Sequence, residues 1–349
     1  MSQSFLSKQP EQTDGCFSHV CYTLFADIIF FLFPSHHLKT VNKQLATFFE
    51  DEDITDICSS SVSIEGFVRE FDENSLRKEL MNTKFDFGEK SQFNGKTFNE
   101  IFKEKGFNEI KIVFDTEDFF VHRLEVYNHK VDVHHLLIQL FIRCEHSLSV
   151  HSCRDFSNSI FKNALQEGAE VTKNYFKNPT ISVTTVEWLR IQDYTSYDKE
   201  KMLLPSQLHN GLGLTREVHR TVQHYATQYN RDGVSNTPEQ WHNALQYLKL
   251  DPPFKFLNPA FEGIFLSINE AVKEDIQTKG YSQVVWAISS RCLKRRDSGE
   301  KFDWLKMEQI SPISKEMNGY FDSDKYKEIV KKNFRPDNLY IDWNMFHPM

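Results

Sequence analysis

Glycine and proline are scarce in this chain, with 13 glycines and 11 prolines in 349 residues. These low numbers exclude collagen-like and low-complexity sequences, which are rich in both residues. The six cysteines form no CxxC pair and are too few for a disulfide-stabilised scaffold, so we expect free thiols in a reducing compartment. A long apolar run is also missing. Residues 22–33 are interrupted by Thr23 and Asp27, and are too short for a span that needs roughly 20 residues.

Positive charge is in deficit, and the formal net charge is −8. This balance argues against bulk electrostatic binding of nucleic acid or anionic lipid. Trp188 and Arg190 would suit base stacking, but the acidic balance favours a core role for the tryptophans. No basic region precedes residues 22–33, which argues against a signal peptide. We therefore expect a cytoplasmic protein with no membrane span and no nucleic-acid partner.

Hydrophobic periodicity predicts an α+β fold with a mixed, largely antiparallel sheet flanked by helices. Strand patterns occupy residues 61–68, 109–114, 119–127, 136–144, 181–191 and 233–236, and helical patterns lie between and after them. A capping box at Thr97 and Glu100 predicts a helix start, and residues 291–310 are predicted to form a hairpin around Asp297–Gly299. We predict three parts: an N-terminal helical or mixed segment, an α+β core, and a C-terminal helix and tail, over residues 1–106, 107–310 and 311–349.

Two of the few glycines, Gly211 and Gly213, lie one residue apart and directly precede an amphipathic helical pattern. A glycine-containing loop at a helix N-terminus is suited to anions, because its N–H groups point outward and the helix dipole favours negative charge. The alternative is a turn in which glycine supplies a positive φ. The sequence leaves both interpretations open.

The order of elements around these glycines resembles the acyl-CoA half of the GNAT-type N-acetyltransferases. The resemblance covers residues 181–258: a strand, the Gly211-x-Gly213 loop, a helix, a strand at 233–236, and a helix carrying Asn and Tyr. It departs from the family in a long loop after Ile191 and in Gln207, which stands four residues before Gly211 where the family has three. The core is accordingly expected to be GNAT-like, with acyl-CoA as co-substrate.

The resemblance also implies roles for individual residues. The pyrophosphate of acyl-CoA would be held by the loop and the start of the first helix, through Gly211, Gly213, Thr215 and Arg216. Asn243 of the second helix would also contact the cofactor. Tyr247 would protonate the departing thiolate. The acceptor would be an amine, on a small molecule or on a protein.

Two residues are candidate bases for deprotonating that amine. Glu187 interrupts an apolar strand, where burial raises the pKa of a carboxyl group. His209 adjoins the glycines and has a side chain that titrates near neutral pH. The alternatives are an outward-facing strand residue for Glu187 and a turn residue for His209.

Two other functions compete with acyl transfer. The first is a non-catalytic protein of the same fold that binds a ligand or partner through its Phe-rich N-terminal part. The second is a zinc site, since two Cys and two His lie within ten residues: Cys144, His146, His151 and Cys153. On a continuous strand the two pairs face opposite ways, and only a turn near 147–149 would unite them. We expect no tightly bound metal.

Overall fold

The computed structural model describes residues 73–118, 121–150, 156, 159–196 and 202–347, without the side chains of 73, 75 and 144–147. The chain divides after Ser60 into two units, and all described residues belong to the second unit. The apolar run 22–33 and a strand predicted at 61–68 lie outside the described residues. Among the described helices, none has the length and apolar character that a membrane span requires.

Seven strands form one sheet in the order β1-β2-β3-β4-β5-β8-β6. All neighbours in it are antiparallel except β4 and β5, which run parallel. Two further strands, β7 and β9, pair separately. The strands are β1 Ile110–Asp115, β2 His122–Asn128, β3 Leu136–Ser149, β4 Thr180–Ile191, β5 Gly233–Asn236, β6 Lys255–Phe256, β7 Leu293–Arg295, β8 Gln309–Pro312 and β9 Leu339–Ile341.

Ten α-helices lie in the described part of the chain. They are α1 Glu73–Asn82, α2 Phe98–Glu104, α3 Lys162–Tyr175, α4 Thr215–Gln228, α5 Trp241–Leu248, α6 Pro259–Ala271, α7 Lys273–Lys279, α8 Tyr281–Ser289, α9 Lys315–Asp322 and α10 Asp324–Asn333. The mostly antiparallel sheet with helices packed on it confirms the predicted α+β class.

Side-chain alternation gives β1–β3 one apolar and one polar face. Ile112, Val126 and Ile138 share a buried cluster with residues of α1, α2 and α4. On the opposite face, Glu125 accepts a hydrogen bond from Gln139 Nε2 at 2.8 Å. The helices therefore cover one side of these strands, and the amphipathic pattern that predicts the strands also fixes which side.

The parallel strands and β8 are covered on their other face. Val183 of β4 and Ile310 of β8 share a buried cluster with Met317 and Tyr320 of α9. Behind them α6 packs against α3 and α10. A Cβ atom on Gly263 of α6 would overlap the Val330 carbonyl oxygen, so the small residue permits the close approach of α10.

Local signals predict some elements well and others poorly. Thr97 caps α2 as expected, because its Oγ1 accepts from Glu100 N–H at 3.1 Å and the Glu100 carboxylate accepts from Thr97 N–H at 2.8 Å. The hairpin predicted over 291–310 is found in part. Its turn around Asp297–Gly299 brings Lys294 into an antiparallel bridge with Lys301, but β8 enters the large sheet and β7 pairs with β9. The predicted boundaries at 106 and 310 both fall within continuous packing, as residues on either side share buried clusters.

Candidate functional site

The pairing of the two parallel strands ends before β4 does. They pair from Val183 opposite Gly233 to Val186 opposite Asn236. β5 ends at Asn236, whereas β4 continues to Ile191. The last residues of β4 therefore have no partner in β5, and we call this unpaired region beyond Val186 and Asn236 the gap. Crevices outside the carboxyl ends of parallel strands are where open α/β sheets bind ligands.

A β-bulge lies in β4 where the gap begins. On the β3 side, Phe141 pairs with Trp188 and Ile142 pairs with Val186. Glu187 is thus the extra residue, with no partner of its own. Bulges bend a strand and redirect its side chains, and they are common beside active sites.

Glu187 has a different environment from the one expected. Its side chain is exposed, and its carboxylate accepts a hydrogen bond from Arg143 Nε at 2.7 Å. The neighbouring Trp188 is 36% exposed. The apolar burial that would make Glu187 a strong base is not found, and any proton transfer to it would proceed in contact with water.

The long loop after β4 closes on itself. Asp193 N–H donates to the Asn210 carbonyl at 2.8 Å, and Asn210 Nδ2 donates to the Ser196 carbonyl at 2.9 Å. The chain thereby returns to the end of β4 after its excursion. A Cβ atom on Gly211 would lie 3.9 Å from the Ile191 carbonyl oxygen. Gly211 therefore lies beside the strand end in space, although many residues separate the two along the chain.

The glycines present an open backbone at the start of α4. Gly211 and Gly213 are both exposed. Gly213 has φ +74°, and a Cβ atom there would meet nothing within 4 Å. Both interpretations of the glycines are consistent with this geometry, because a turn that needs positive φ also leaves room for a ligand.

The first turn of α4 has free N–H donors. Leu214 caps the helix without a side-chain hydrogen bond, and Val218 N–H is the first to bond within the helix, to the Leu214 carbonyl at 3.0 Å. Within the described part of the chain, the N–H groups of Thr215, Arg216 and Glu217 have no acceptor. Such groups make a helix N-terminus an anion-binding site.

Side chains of this turn contact the segment before α2. Arg216 Nη1 donates to the Lys90 carbonyl at 2.7 Å. Glu217 is buried and accepts from Ser91 Oγ, which turns its carboxylate away from solvent. Arg216 thus has one N–H engaged and keeps the others, while Glu217 is removed from the surface where an anion would bind.

Helix α5 brings Tyr247 towards α4. The Tyr247 ring lies 5.2 Å from Phe254, which lies 4.9 Å from His219 in the second turn of α4. Burial raises the pKa of Tyr247 to about 12, so the hydroxyl stays protonated at neutral pH. Its hydroxyl makes no hydrogen bond to a described residue. Asn243, one turn earlier, is half-buried and its side chain is likewise without a bond in that part.

His209 remains separate from these residues. Its ring is half-buried and forms no hydrogen bond within the described ranges, and its neighbour Leu208 is 63% exposed. The structure places His209 in the closing loop beside Asn210, on the approach to the glycines. Nothing there orients the ring as a base, which agrees with the alternative of a turn residue.

Sequence patterns gave no indication of two buried histidines near the parallel strands. Burial lowers the pKa of His219 to about 3 and that of His242 to about 4, so both are neutral at physiological pH. His242 lies in the first turn of α5, directly after β5, and its Nδ1 has no partner among the described residues. A position in the first turn after a parallel strand is the one sequence signal that points to it.

Metal binding finds no support in the described part, where no group of three or more His, Cys, Asp or Glu side chains is suited to an ion. The side chains of Cys144 and His146, and all of His151 and Cys153, lie outside that part. The backbone of β3 runs straight through 147–149, with Ser147 opposite Ser182 and Ser149 opposite Thr180. The turn that would unite the two pairs is therefore replaced by strand.

The described residues place exposed glycines and free N–H donors at the start of α4, beside the end of β4. A helix N-terminus of this kind is suited to an anion. No protein-family model matches the chain, and no curated protein and no solved structure matches it either.

Proposed function

We propose that this protein transfers an acyl group from acyl-CoA to an amine on a GNAT-like core. The observation that carries the proposal is the end of the β4–β5 pairing at Val186 and Asn236, beyond which β4 runs on to Ile191 beside the exposed Gly211. The GNAT-type enzymes that the sequence resembles hold the pantetheine arm in a gap between two such strands. The order of β4, glycine loop, α4, β5 and α5 is the one that the resemblance implies.

The pyrophosphate would bind at the first turn of α4. Gly211 and Gly213 are exposed and Thr215 is half-buried, and a Cβ atom at either glycine would meet no side chain within 4 Å. Arg216 would add a charge-assisted hydrogen bond through the N–H groups that Lys90 does not use. The closing bond between Asp193 and Asn210 supports this role, because it brings the glycines next to the end of β4.

The chemical step needs one proton removed and one supplied. The amine loses a proton to Glu187 or His209, directly or through water, and attacks the thioester carbonyl. The new C–N bond forms, the C–S bond breaks, and Tyr247 gives its proton to the thiolate. The exposed position of Glu187 favours the route through water. A cytoplasmic location with a small-molecule or protein acceptor completes the proposal.

Calorimetric titration with CoA tests the proposal, with the melting temperature as a second readout. A ligand that binds only the folded state raises the melting temperature by mass action. Gly211→Val is the sharpest variant, because Gly211 lacks a positive φ and its nearest neighbour atom leaves room for a Cβ. We expect Gly211→Val to keep the wild-type melting temperature without ligand and to lose the shift with CoA.

Further variants separate binding from chemistry. Arg216→Ala should weaken CoA binding by ~1–3 kcal/mol through loss of a charge-assisted bond. Tyr247→Phe should leave CoA affinity unchanged and reduce turnover with amine acceptors. Absence of heat with millimolar CoA or acetyl-CoA would contradict acyl transfer and favour the non-catalytic binding protein.

A further inference from the structure

Two buried amide side chains face each other at the inner end of the gap. Asn236 of β5 lies opposite Gln309 of β8 in the ladder. They are 3% and 0% exposed. The nitrogen and oxygen of each amide are buried, and none of these four atoms has a hydrogen-bond partner in the part of the chain that the structure describes.

Their position ties them to the gap. Asn236 is also opposite Val186, which is the last pair that β4 makes with β5. Two residues along β8, Ser311 accepts a hydrogen bond from Gln223 Nε2 of α4 at 2.9 Å. Because alternate residues share a face, Gln309 and Asn236 lie on the face covered by α4. They are two residues nearer the carboxyl end of β5 than the pair of Ser311 and Val234.

Neighbouring polar groups in the same strands are satisfied. Thr185 Oγ1 and Ser235 Oγ lie 2.6 Å apart and share a hydrogen bond, and Gln223 Nε2 donates to Ser311 Oγ as described. Buried polar groups in native proteins almost always find partners, and an orphaned one weakens folding. Four orphaned atoms at one place therefore mark a site whose hydrogen bonds are completed by a group outside the described residues.

We propose that Asn236 and Gln309 bind a carboxamide group of the ligand that enters the gap. Two side-chain amides offer N–H donors and C=O acceptors side by side, and a carboxamide supplies both complements. The inference rests on the proposed function, which supplies two sources of this group. One is the pantetheine arm of CoA, and the other is an acceptor amine that carries an amide.

The test uses the double variant Asn236→Leu/Gln309→Met, whose side chains keep similar shapes without polar atoms. Replacing unpaired polar groups by apolar groups of the same shape relieves their cost, so we expect its melting temperature without ligand to rise. Gln223→Met is the matched control, because it removes a satisfied buried amide and should lower the melting temperature. Asn236→Leu alone replaces the double variant if the latter does not fold.

Calorimetry then identifies the source of the amide. A Kd for CoA about 10-fold weaker in the double variant, with unchanged affinity for adenosine 3′,5′-bisphosphate, which lacks the arm, assigns the pantetheine. Unchanged CoA affinity with lost binding of glycylglycinamide to the CoA complex assigns the acceptor. A lower melting temperature, or unchanged affinity for both probes, overturns the inference while the proposed function stands. A wild-type protein that binds no CoA overturns the proposed function instead.

Discussion

At the scale of single residues, Gly211 and Gly213 have different conformational needs although only Leu212 separates them. Gly213 has φ +74°, whereas Gly211 has no positive φ and a tolerant environment. We expect Gly213→Ala to reduce the free energy of unfolding by about 1 kcal/mol, because an L-residue is strained in the left-handed region. Gly211→Ala should change it by less than about 0.5 kcal/mol. Urea unfolding of both variants measures the difference.

Equal stability of the two variants would contradict this backbone assignment. Gly299→Ala provides a reference, since Gly299 has φ +72° with nothing within 4 Å of its Cβ position and lies away from the candidate site. It should resemble Gly213→Ala in stability and the wild type in CoA binding. The comparison distinguishes the two interpretations of Gly211 and Gly213, a turn that needs positive φ or a loop that binds a ligand. The sequence alone left this choice open.

Glu262 is a buried carboxyl group that makes stability depend on pH. Burial raises its pKa from 4.5 to about 7, although Phe256 N–H, which donates to it at 2.8 Å, and Lys255 act in the opposite direction. Between about pH 4.5 and 7 the folded state therefore holds a proton that the unfolded state has released. Glu262 therefore makes its whole contribution to the free energy of unfolding below pH 4.5, and this contribution is lost as the pH rises through 7.

Glu262→Gln should remove this dependence, because glutamine stays neutral and its oxygen still accepts from Phe256. The free energy of unfolding of the variant, relative to that of the wild type, should rise by on the order of 2 kcal/mol from pH 4.5 to pH 8. Melting temperatures across that range measure the gain, with the exposed Glu316→Gln as control. A constant difference between Glu262→Gln and wild type would show that Glu262 ionises freely in the folded protein.

At the scale of elements, Asn258 joins two helices. Its Oδ1 accepts from Ala260 N–H at 3.0 Å and caps α6, while its Nδ2 donates to the Leu165 carbonyl of α3 at 2.9 Å. We expect Asn258→Ala to cost about 2–3 kcal/mol, because it removes a helix cap and a buried hydrogen bond between two helices. Ser314→Ala, which removes only the cap of α9, should cost about 1 kcal/mol.

Chemical denaturation of Asn258→Ala and Ser314→Ala tests this ranking. Equal losses would mean that the bond to Leu165 adds nothing to the cap. Asn258→Asp keeps the capping oxygen and removes the donor. Its free energy of unfolding should therefore lie between that of Asn258→Ala and that of the wild type. The series therefore divides one side chain into its helix-capping part and its helix-joining part.

The elements that the sequence predicts are those with local signals. The strands β1–β5 coincide with strand patterns in the sequence, α2 begins with a capping box, and α4 has a clear apolar face. The short strands β6, β7 and β9 span two or three residues and exist only through distant partners, so no local pattern marks them. The gap follows from the unequal lengths of β4 and β5, both of which the sequence indicated.

The site was only partly predictable for the same reason. The exposed glycines and the free start of α4 follow from a local pattern. The solvation of Glu187 depends on a bulge against β3, and the orphaned amides of Asn236 and Gln309 depend on pairing between distant strands. Neither relation is visible in the residue types, since Asn and Gln at strand ends are normally solvated.

At the scale of the whole molecule, we expect the fold to be independent of metal. The described part has no grouping suited to an ion, and strand pairing continues through 147–149, where a turn was needed to unite the two predicted ligand pairs. EDTA should therefore leave the melting temperature unchanged, and elemental analysis should find substoichiometric zinc. About one zinc per chain, with unfolding on its removal, would contradict this expectation.

The bond between Asp193 and Asn210 has a consequence for how such proteins diverge. Because it anchors both ends of the excursion at the end of β4, insertions and deletions between these residues can accumulate without displacing the glycines. Related chains would then differ widely in the number of residues between strand and glycine loop while keeping the same arrangement in space. A sequence motif with a fixed number of residues between strand and glycine loop would miss such relatives. A motif defined by the two bonded residues, with variable spacing between them, would recognise them together.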